Sequence, residues 1–238
     1  MEIVVQHQGM FCDLLDLYPF YANLYNSHIE KSAKRYWYRD DGGDSGRRTY
    51  DLQVVFLGKS GYGKSSIINS LVDIAVMDTS PVSACTFRAE CVEFEIRDGH
   101  YLSFTDLPGI GENQEKDIEY LKLYERMIKK SDVVVYVIRA DCRDYSIDEI
   151  AFSRLFCDFE LRRKVIVVIN CCDKIEPLSR KKPITISDQQ LLAVKRKIGQ
   201  IRPVFSGVRA IVPCSADLSW NIDLLAKEIH KAIGSSLP

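Results

Sequence analysis

The sequence predicts an α/β sandwich built on a mostly parallel sheet. Two observations predict it. From Tyr50 onward, apolar β-branched runs alternate with stretches of helical periodicity. Two of those runs, Val133–Ile138 and Val165–Ile169, are apolar at every position, as strands covered on both faces are. A third observation adds one antiparallel pair: Asp98-Gly99 separates two strand-like runs and is a two-residue hairpin signal.

The elements follow in order. Residues 1–39 are rich in aromatics, and Leu14, Leu17, Tyr21, Leu24 and His28 have roughly helical spacing with a break at Pro19. This preface is expected either to pack on the main domain as helix or to serve as a partner-binding or self-association segment. The Gly-, Asp- and Ser-rich run Asp40–Arg48 marks a linker. The expected division is therefore a helical extension with linker at 1–49 and one domain at 50–238. Within that domain Asp51–Leu57 is a strand, followed by a glycine-rich turn and a helix through Ile67, Leu71 and Ala75. Cys91–Ile96 alternates, placing Val92, Phe94 and Ile96 on one face and Glu93 and Glu95 on the other, a half-exposed strand; Tyr101–Thr105 returns from the hairpin. Helices are expected through Ile118–Ile128, through Ile147, Ile150, Ala151 and Leu155, over Gln189–Ile201, and through Ile222–Ile233, with a last strand at Val208–Val212.

Composition bounds the function. The chain has 238 residues, 46% apolar and 27% charged, with a net charge of −1, which excludes a globally basic nucleic-acid binder. No apolar run approaches the roughly 20 residues of a membrane helix, and the N-terminus has no signal-peptide pattern. The 8 cysteines form no CxxC pair and the four histidines are scattered, which argues against zinc and for a reducing cytoplasm. The near-zero charge conceals a basic segment: Lys174–Arg202 carries a net +6 in 29 residues. It reads either as a solvated helix face plus loop or as a surface for RNA, a ribosome or another acidic partner. No aromatic side chain is interleaved in it, which argues against base stacking.

The strongest motif is Gly58-Lys59-Ser60-Gly61-Tyr62-Gly63-Lys64-Ser65, which matches G-x-x-x-x-G-K-[ST]. It follows an apolar strand and opens a helix, the setting in which backbone N–H groups and a helix N-terminus cradle phosphate. The loop's nucleotide-binding set is Gly58, Ser60, Gly61, Tyr62, Gly63, Lys64, Ser65 and Ser66. Lys64 is placed to neutralise the β- and γ-phosphates and the Ser65 hydroxyl to ligate Mg²⁺. Asp106-Leu107-Pro108-Gly109 ends a strand 41 residues after Ser65. Asp106 is placed to hold Mg²⁺ through a water, and the Gly109 N–H to sense a γ-phosphate. Asn170-Cys171-Cys172-Asp173 and Cys214-Ser215-Ala216 end the last two strands. A carboxylate at Asp173 suits the N1–H and N2–H₂ donors of guanine and disfavours adenine, and Ser215-Ala216 suits a loop whose N–H meets guanine O6.

With these motifs in order, residues 50–235 resemble the translation-factor-related GTPases near the Era and TrmE group. GKSGYGKSS, PVSACT, DLPG, the Asn170–Pro177 stretch and CSA are most similar to the YfjP/YeeP type of bacterial, prophage-like GTPases. The resemblance implies a three-layer P-loop fold with a mixed six-stranded sheet and helices on both faces, GTP and GDP as ligands, Mg²⁺, and two switch segments. It implies that the first switch spans about residues 75–88, with Thr86 as metal and γ-phosphate ligand and Thr79 as its competitor. The catalytic set is then Lys64, Thr86 and Gly109, and the metal set Ser65, Thr86 and Asp106.

Three departures stand out. Cys171 occupies the position where the resemblance implies a lysine, whose stem packs on the base and whose amine ties to the phosphate loop. Ile110 follows Gly109 where many relatives carry a water-orienting glutamine, so slow turnover is expected. Gly61 stands where potassium-recruiting relatives place an asparagine, so no potassium stimulation is expected. The expected function is a Mg²⁺-dependent GTPase acting as a conformational switch; the alternative is a GTP-gated binding or assembly protein, a nucleotide-dependent homodimer among its forms, with little or no hydrolysis.

Overall fold

The computed structural model describes residues 34–37, 50–72, 77, 79, 89–97, 100–110, 114–178 and 185–234. Seven strands form one sheet: β1 (Lys34–Trp37), β2 (Tyr50–Gly58), β3 (Glu90–Arg97), β4 (His100–Asp106), β5 (Val133–Arg139), β6 (Val165–Asn170) and β7 (Ala210–Pro213). Their spatial order is β1-β3-β4-β2-β5-β6-β7. The pairs β4–β2, β2–β5, β5–β6 and β6–β7 are parallel, whereas β3–β4 and β1–β3 are antiparallel. The six strands β2–β7 are the mixed, mostly parallel sheet expected from the pattern. Asp98 and Gly99 lie outside the described residues, but Arg97 and His100 are register partners, so the antiparallel pair closes over two residues.

The helices are α1 (Lys64–Val72), α2 (Gln114–Lys130), α3 (Ser146–Leu155), α4 (Phe159–Arg163), α5 (Asp188–Ile201) and α6 (Ile222–Gly234). Helix α1 packs with α6, and α2 with α3. All of β6 and all but the last residue of β5 are buried, so both faces of the sheet's centre are covered. An aromatic cluster of Tyr136, Phe152, Phe156 and Phe205 fills the space beside β5, with ring centroids 4.9–6.4 Å apart.

The structure departs from the sequence reading in three places. Within the preface read as helical, residues 34–37 form the seventh strand, an edge strand on β3; residues 1–33 and 38–49, including the linker, lie outside the described residues. Glu93, expected on an exposed face, is buried, because β1 makes β3 an interior strand: Glu93 sits between Lys34 on one side and Ser103 on the other. In α3 the buried stripe is Asp148, Ala151, Phe152 and Leu155, while Ile147 and Ile150 are exposed. That stripe has regular helical spacing, but its first member is a carboxylate, so the stripe expected from Ile147 and Ile150 is rotated from it by about one residue.

Because β2, β4, β5, β6 and β7 run parallel, their C-terminal ends share one edge of the sheet, the edge where such sheets bind ligands. Gly58 ends β2 at that edge with φ +144°, and a Cβ there would land on the Val137 carbonyl oxygen of β5. The close approach of β2 to β5 and the turn into the loop both require glycine. Gly58→Ala is therefore expected to destabilise the protein by about 3 kcal/mol or more, read as the urea unfolding midpoint; an unchanged midpoint would contradict this packing.

Candidate functional site

The loop Gly58–Ser65 wraps the N-terminus of α1, with Gly61 and Gly63 in left-handed backbone at φ +74° and +84°. Lys64 is buried, and its Nζ donates to the carbonyl oxygens of Gly58 (3.4 Å) and Lys59 (3.3 Å). The lysine thus lies folded against the loop it opens. The Ser65 hydroxyl donates to the carboxylate of the fully buried Asp106 at the end of β4. A hydroxyl and a carboxylate oxygen are thereby held side by side at a helix N-terminus. Hard oxygen donors of this kind fit Mg²⁺, which accepts one or two protein oxygens and keeps several waters.

The Asp106-Leu107-Pro108-Gly109 loop is pinned to this site. Leu107 N donates to Phe56 O at 3.1 Å, Ile110 N to Gly58 O at 3.2 Å, and the Tyr124 hydroxyl of α2 to Pro108 O at 2.7 Å. Gly109 lies so close to Ser60 that a Cβ would collide with the Ser60 backbone. Ile110 is buried and bridges to Lys59 as a one-residue extension of the sheet. It is packed into the core and presents no polar group to a water. On the other side of the loop, Asn69 of α1 grips Met77 twice, donating to its carbonyl (2.9 Å) and accepting from its N–H (2.7 Å). Thr86 and most of the segment 75–88 expected as the first switch lie outside the described residues; Thr79 is exposed.

The motifs at the ends of β6 and β7 meet the loop through Asn170. Its buried amide donates to Tyr62 O (3.0 Å) and its carbonyl accepts from Ala216 N (3.1 Å). A Cβ on Gly63 would collide with that same amide nitrogen. Ser70 of α1 closes the circuit by donating to Ala216 O at 3.2 Å. The Ser215 hydroxyl donates to Asp173 Oδ1 at 2.6 Å, so the carboxylate and the Ser-Ala loop form one unit. Among the residues that sequence reasoning missed is Gln190 of α5. Its side chain is buried and donates to the carbonyls of Asp173 (2.9 Å) and Ile175 (3.0 Å), holding the 3₁₀ turn Cys172–Lys174 that carries Asp173. Its only sequence signal is the capping box Ser187–Gln190.

Cys171 is buried with left-handed backbone (φ 59°, ψ 37°), and burial pushes its thiol up to about 11. It is a small inert group where a lysine was expected. Lys174 is turned away, 2.7 Å from Asp217. In the basic segment, Lys197 also points inward: its Nζ donates to Cys142 O at 2.6 Å and lies 4.7 Å from the Tyr145 ring centre, and burial lowers its pKa. Lys195, Arg196 and Arg202 are exposed, and Arg180, Lys181 and Lys182 lie outside the described residues.

A second missed residue lies behind the loop. Asp148 is fully buried and accepts hydrogen bonds from the Tyr62 hydroxyl (3.4 Å) and the Tyr136 hydroxyl (3.2 Å). The Tyr62 ring is thus anchored from beneath, while Lys59 lies 5.5 Å from its ring centre. Burial lifts the Asp148 pKa to about 6, only partly offset by Lys59 and the two phenols.

Comparisons with known proteins agree with this geometry. Residues 53–171 match the family model described as 50S ribosome-binding GTPase. The chain is 32% identical over 185 residues to protein YkfA of Escherichia coli strain K12, covering 77% of this chain and 63% of that protein. It is similar to the crystal structure of Aquifex aeolicus Era bound to GDP and AlF4⁻, with TM-score 0.58 and 26% identity over 76% of this chain and 56% of that one. It is also similar to Era in complex with MgGDPNP and nucleotides 1506–1542 of 16S ribosomal RNA, with TM-score 0.59, 27% identity and the same coverage, 76% and 56%. The chain spans about three-fifths of the length of the curated relatives it matches.

Asp148 gives a signed pH prediction. Its folded pKa lies above the unfolded value, so the folded state holds the proton through the window from 3.8 to about 6. Ionisation there removes stability as pH rises, up to a ceiling of about 3 kcal/mol. Asp148→Asn keeps an acceptor for a tyrosine hydroxyl and carries no charge. It is expected to melt above the wild type at pH 7.5, with the gap closing as pH falls to 5. A variant less stable by the same amount at both pH values would contradict the assignment.

Proposed function

The chain belongs to the 50S ribosome-binding GTPase family, and from that membership we propose that it binds GTP with Mg²⁺, hydrolyses it slowly, and uses the bound nucleotide as a conformational switch. The observation that carries the reading is the Asn170 bridge, which joins the phosphate loop at Tyr62 to the Ser-Ala loop at Ala216 and so places Asp173 at a fixed distance from the loop. A guanine donating N1–H and N2–H₂ to Asp173 meets a carboxylate already oriented by Ser215.

Phosphates seated on the amides of Ser60 to Ser66 draw Lys64 off the Gly58 and Lys59 carbonyls and toward the β–γ bridge. Ser65, Thr86 and a water on Asp106 would hold Mg²⁺, which would supply charge neutralisation at the phosphates. Water attacks the γ-phosphorus, the bond to the bridging oxygen breaks, and GDP and phosphate leave. Lys64 and the loop amides stabilise the charge that develops on that oxygen. The Gly109 N–H, beside Ser60, is positioned to respond to the γ-phosphate. The Pro108 anchor on Tyr124 then carries that response to α2.

Ile110 favours slow turnover, because a side chain buried against the base of the loop cannot orient water. The same observation supports the second reading, a GTP-gated docking or dimerising protein that scarcely hydrolyses its ligand. The exposed Lys195 and Arg196 of α5, with Arg202 just after it, suit an acidic partner such as RNA. Among the described residues no helix is long and apolar enough to cross a membrane. The described cysteines are free thiols, in keeping with a reducing compartment such as the cytoplasm.

Phosphate release from GTP at saturating Mg²⁺ tests the enzymatic reading. Wild type is expected to release phosphate at a slow, measurable rate, and Lys64→Ala to reduce that rate at least about a hundredfold through loss of charge stabilisation. GTP binding with no release above the Lys64→Ala background would support the gated-docking reading and contradict the enzyme.

A further inference from the structure

Arg139 ends β5 directly beside Asn170, its register partner on β6 and the first residue of the base motif. Its guanidinium is held along two edges. Nε and Nη2 donate to Asp141 Oδ1 (2.9 Å) and Oδ2 (2.7 Å) as a bidentate fork, and Nη1 donates to the Gly61 carbonyl of the phosphate loop at 3.4 Å. The side chain is about one-third exposed, so it lies at the mouth of the site. The Asp141 hydrogen bond raises the Arg139 pKa and lowers that of Asp141, consistent with a persistent pair. The neighbouring Cys171 is small, buried and close enough to feel the Arg139 charge.

The lysine expected at 171 has two tasks, a tie to the phosphate loop and an apolar cover for the base. Cys171 performs neither. Lys174 is engaged by Asp217 and Lys59 faces the Tyr62 ring. The tie to the loop is nevertheless present in the fold, made by Arg139 to Gly61. A guanidinium bonded along its edges to a carboxylate and a carbonyl uses in-plane donors only, and a flat cation is a good stacking partner for a purine. Because Asp141 already orders the side chain, little rotamer freedom is lost on stacking.

We propose that Arg139, braced by Asp141, takes over the work of the missing lysine: it ties the phosphate loop to the base site and covers the guanine ring from the β5 side. It is a binding residue for the base, and the inference rests on the GTPase reading above. The site is thus a compensated pair, in which a small residue at 171 and a long cation at 139 replace a long cation at 171.

Calorimetric titration of wild type, Arg139→Ala and Arg139→Ala/Cys171→Lys with GDP and with inorganic tripolyphosphate, in Mg²⁺, tests it. Arg139→Ala is expected to weaken GDP about tenfold while leaving tripolyphosphate within about twofold. Adding Cys171→Lys is expected to restore most of the lost GDP affinity. Asp141→Asn, which frees the arginine without removing it, is expected to weaken GDP in the same direction, so the result does not hang on the folding of one variant. Unchanged GDP affinity in both Arg139→Ala and Asp141→Asn, an equal loss for tripolyphosphate, or no rescue by Cys171→Lys overturns the assignment. A wild type that binds tripolyphosphate but shows no gain for GDP overturns the guanine reading itself.

Discussion

The carboxamide of Asn170 holds the site together. One buried side chain donates to the phosphate loop at Tyr62 and accepts from the Ser-Ala loop at Ala216. Its nitrogen also occupies the space a Cβ on Gly63 would need, so the amide and the glycine specify each other. Three segments distant in sequence are fixed by a group with few ways to satisfy its own polar atoms. A buried amide left without partners is costly, which makes the arrangement close to all-or-none. The parallel sheet brings these segments to one edge, but the amide sets their spacing.

Around that clamp further hydrogen bonds fix the neighbouring loops. Tyr62 is anchored from below by Asp148, Ser215 orients Asp173, and Gln190 holds the turn that carries it. These contacts involve buried groups and keep the phosphate and base regions preorganised. Met77, in the segment expected as the first switch, is held by Asn69, and the Gly109 loop is held at Pro108 by Tyr124. Ile110 is packed into the core immediately after Gly109 and presents no polar group there.

Much of the fold was legible in the sequence because the central strands carry it in their composition. Val133–Ile138 and Val165–Ile169 have no polar residue to misread, and the phosphate-loop motif marks the β2–α1 junction by itself. The misreadings share one cause, polar residues that tertiary contacts bury. Asp148 begins the inward stripe of α3, but only the Tyr62 and Tyr136 hydroxyls, distant in sequence, make a buried carboxylate tolerable there. Glu93 reads as surface until β1 makes its strand interior, and nothing local in Lys34–Trp37 announces a strand within an aromatic preface. Among the candidate site residues, those in motifs are readable from their spacing. Arg139 and Gln190 belong to no motif; each acts through a backbone carbonyl that only the folded chain brings near. Thr86 and the basic triplet at 180–182 remain sequence expectations, because they lie outside the described residues.

The central claim is that one clamped edge of the sheet recognises phosphate and guanine together. Competition of GDP and ADP for the wild-type protein, in Mg²⁺ and at equal phosphate charge, tests it most directly. The account predicts that GDP binds at least about a hundredfold more tightly, because adenine offers Asp173 no N1–H and leaves an oriented carboxylate poorly paired. Equal affinity for the two nucleotides would contradict it.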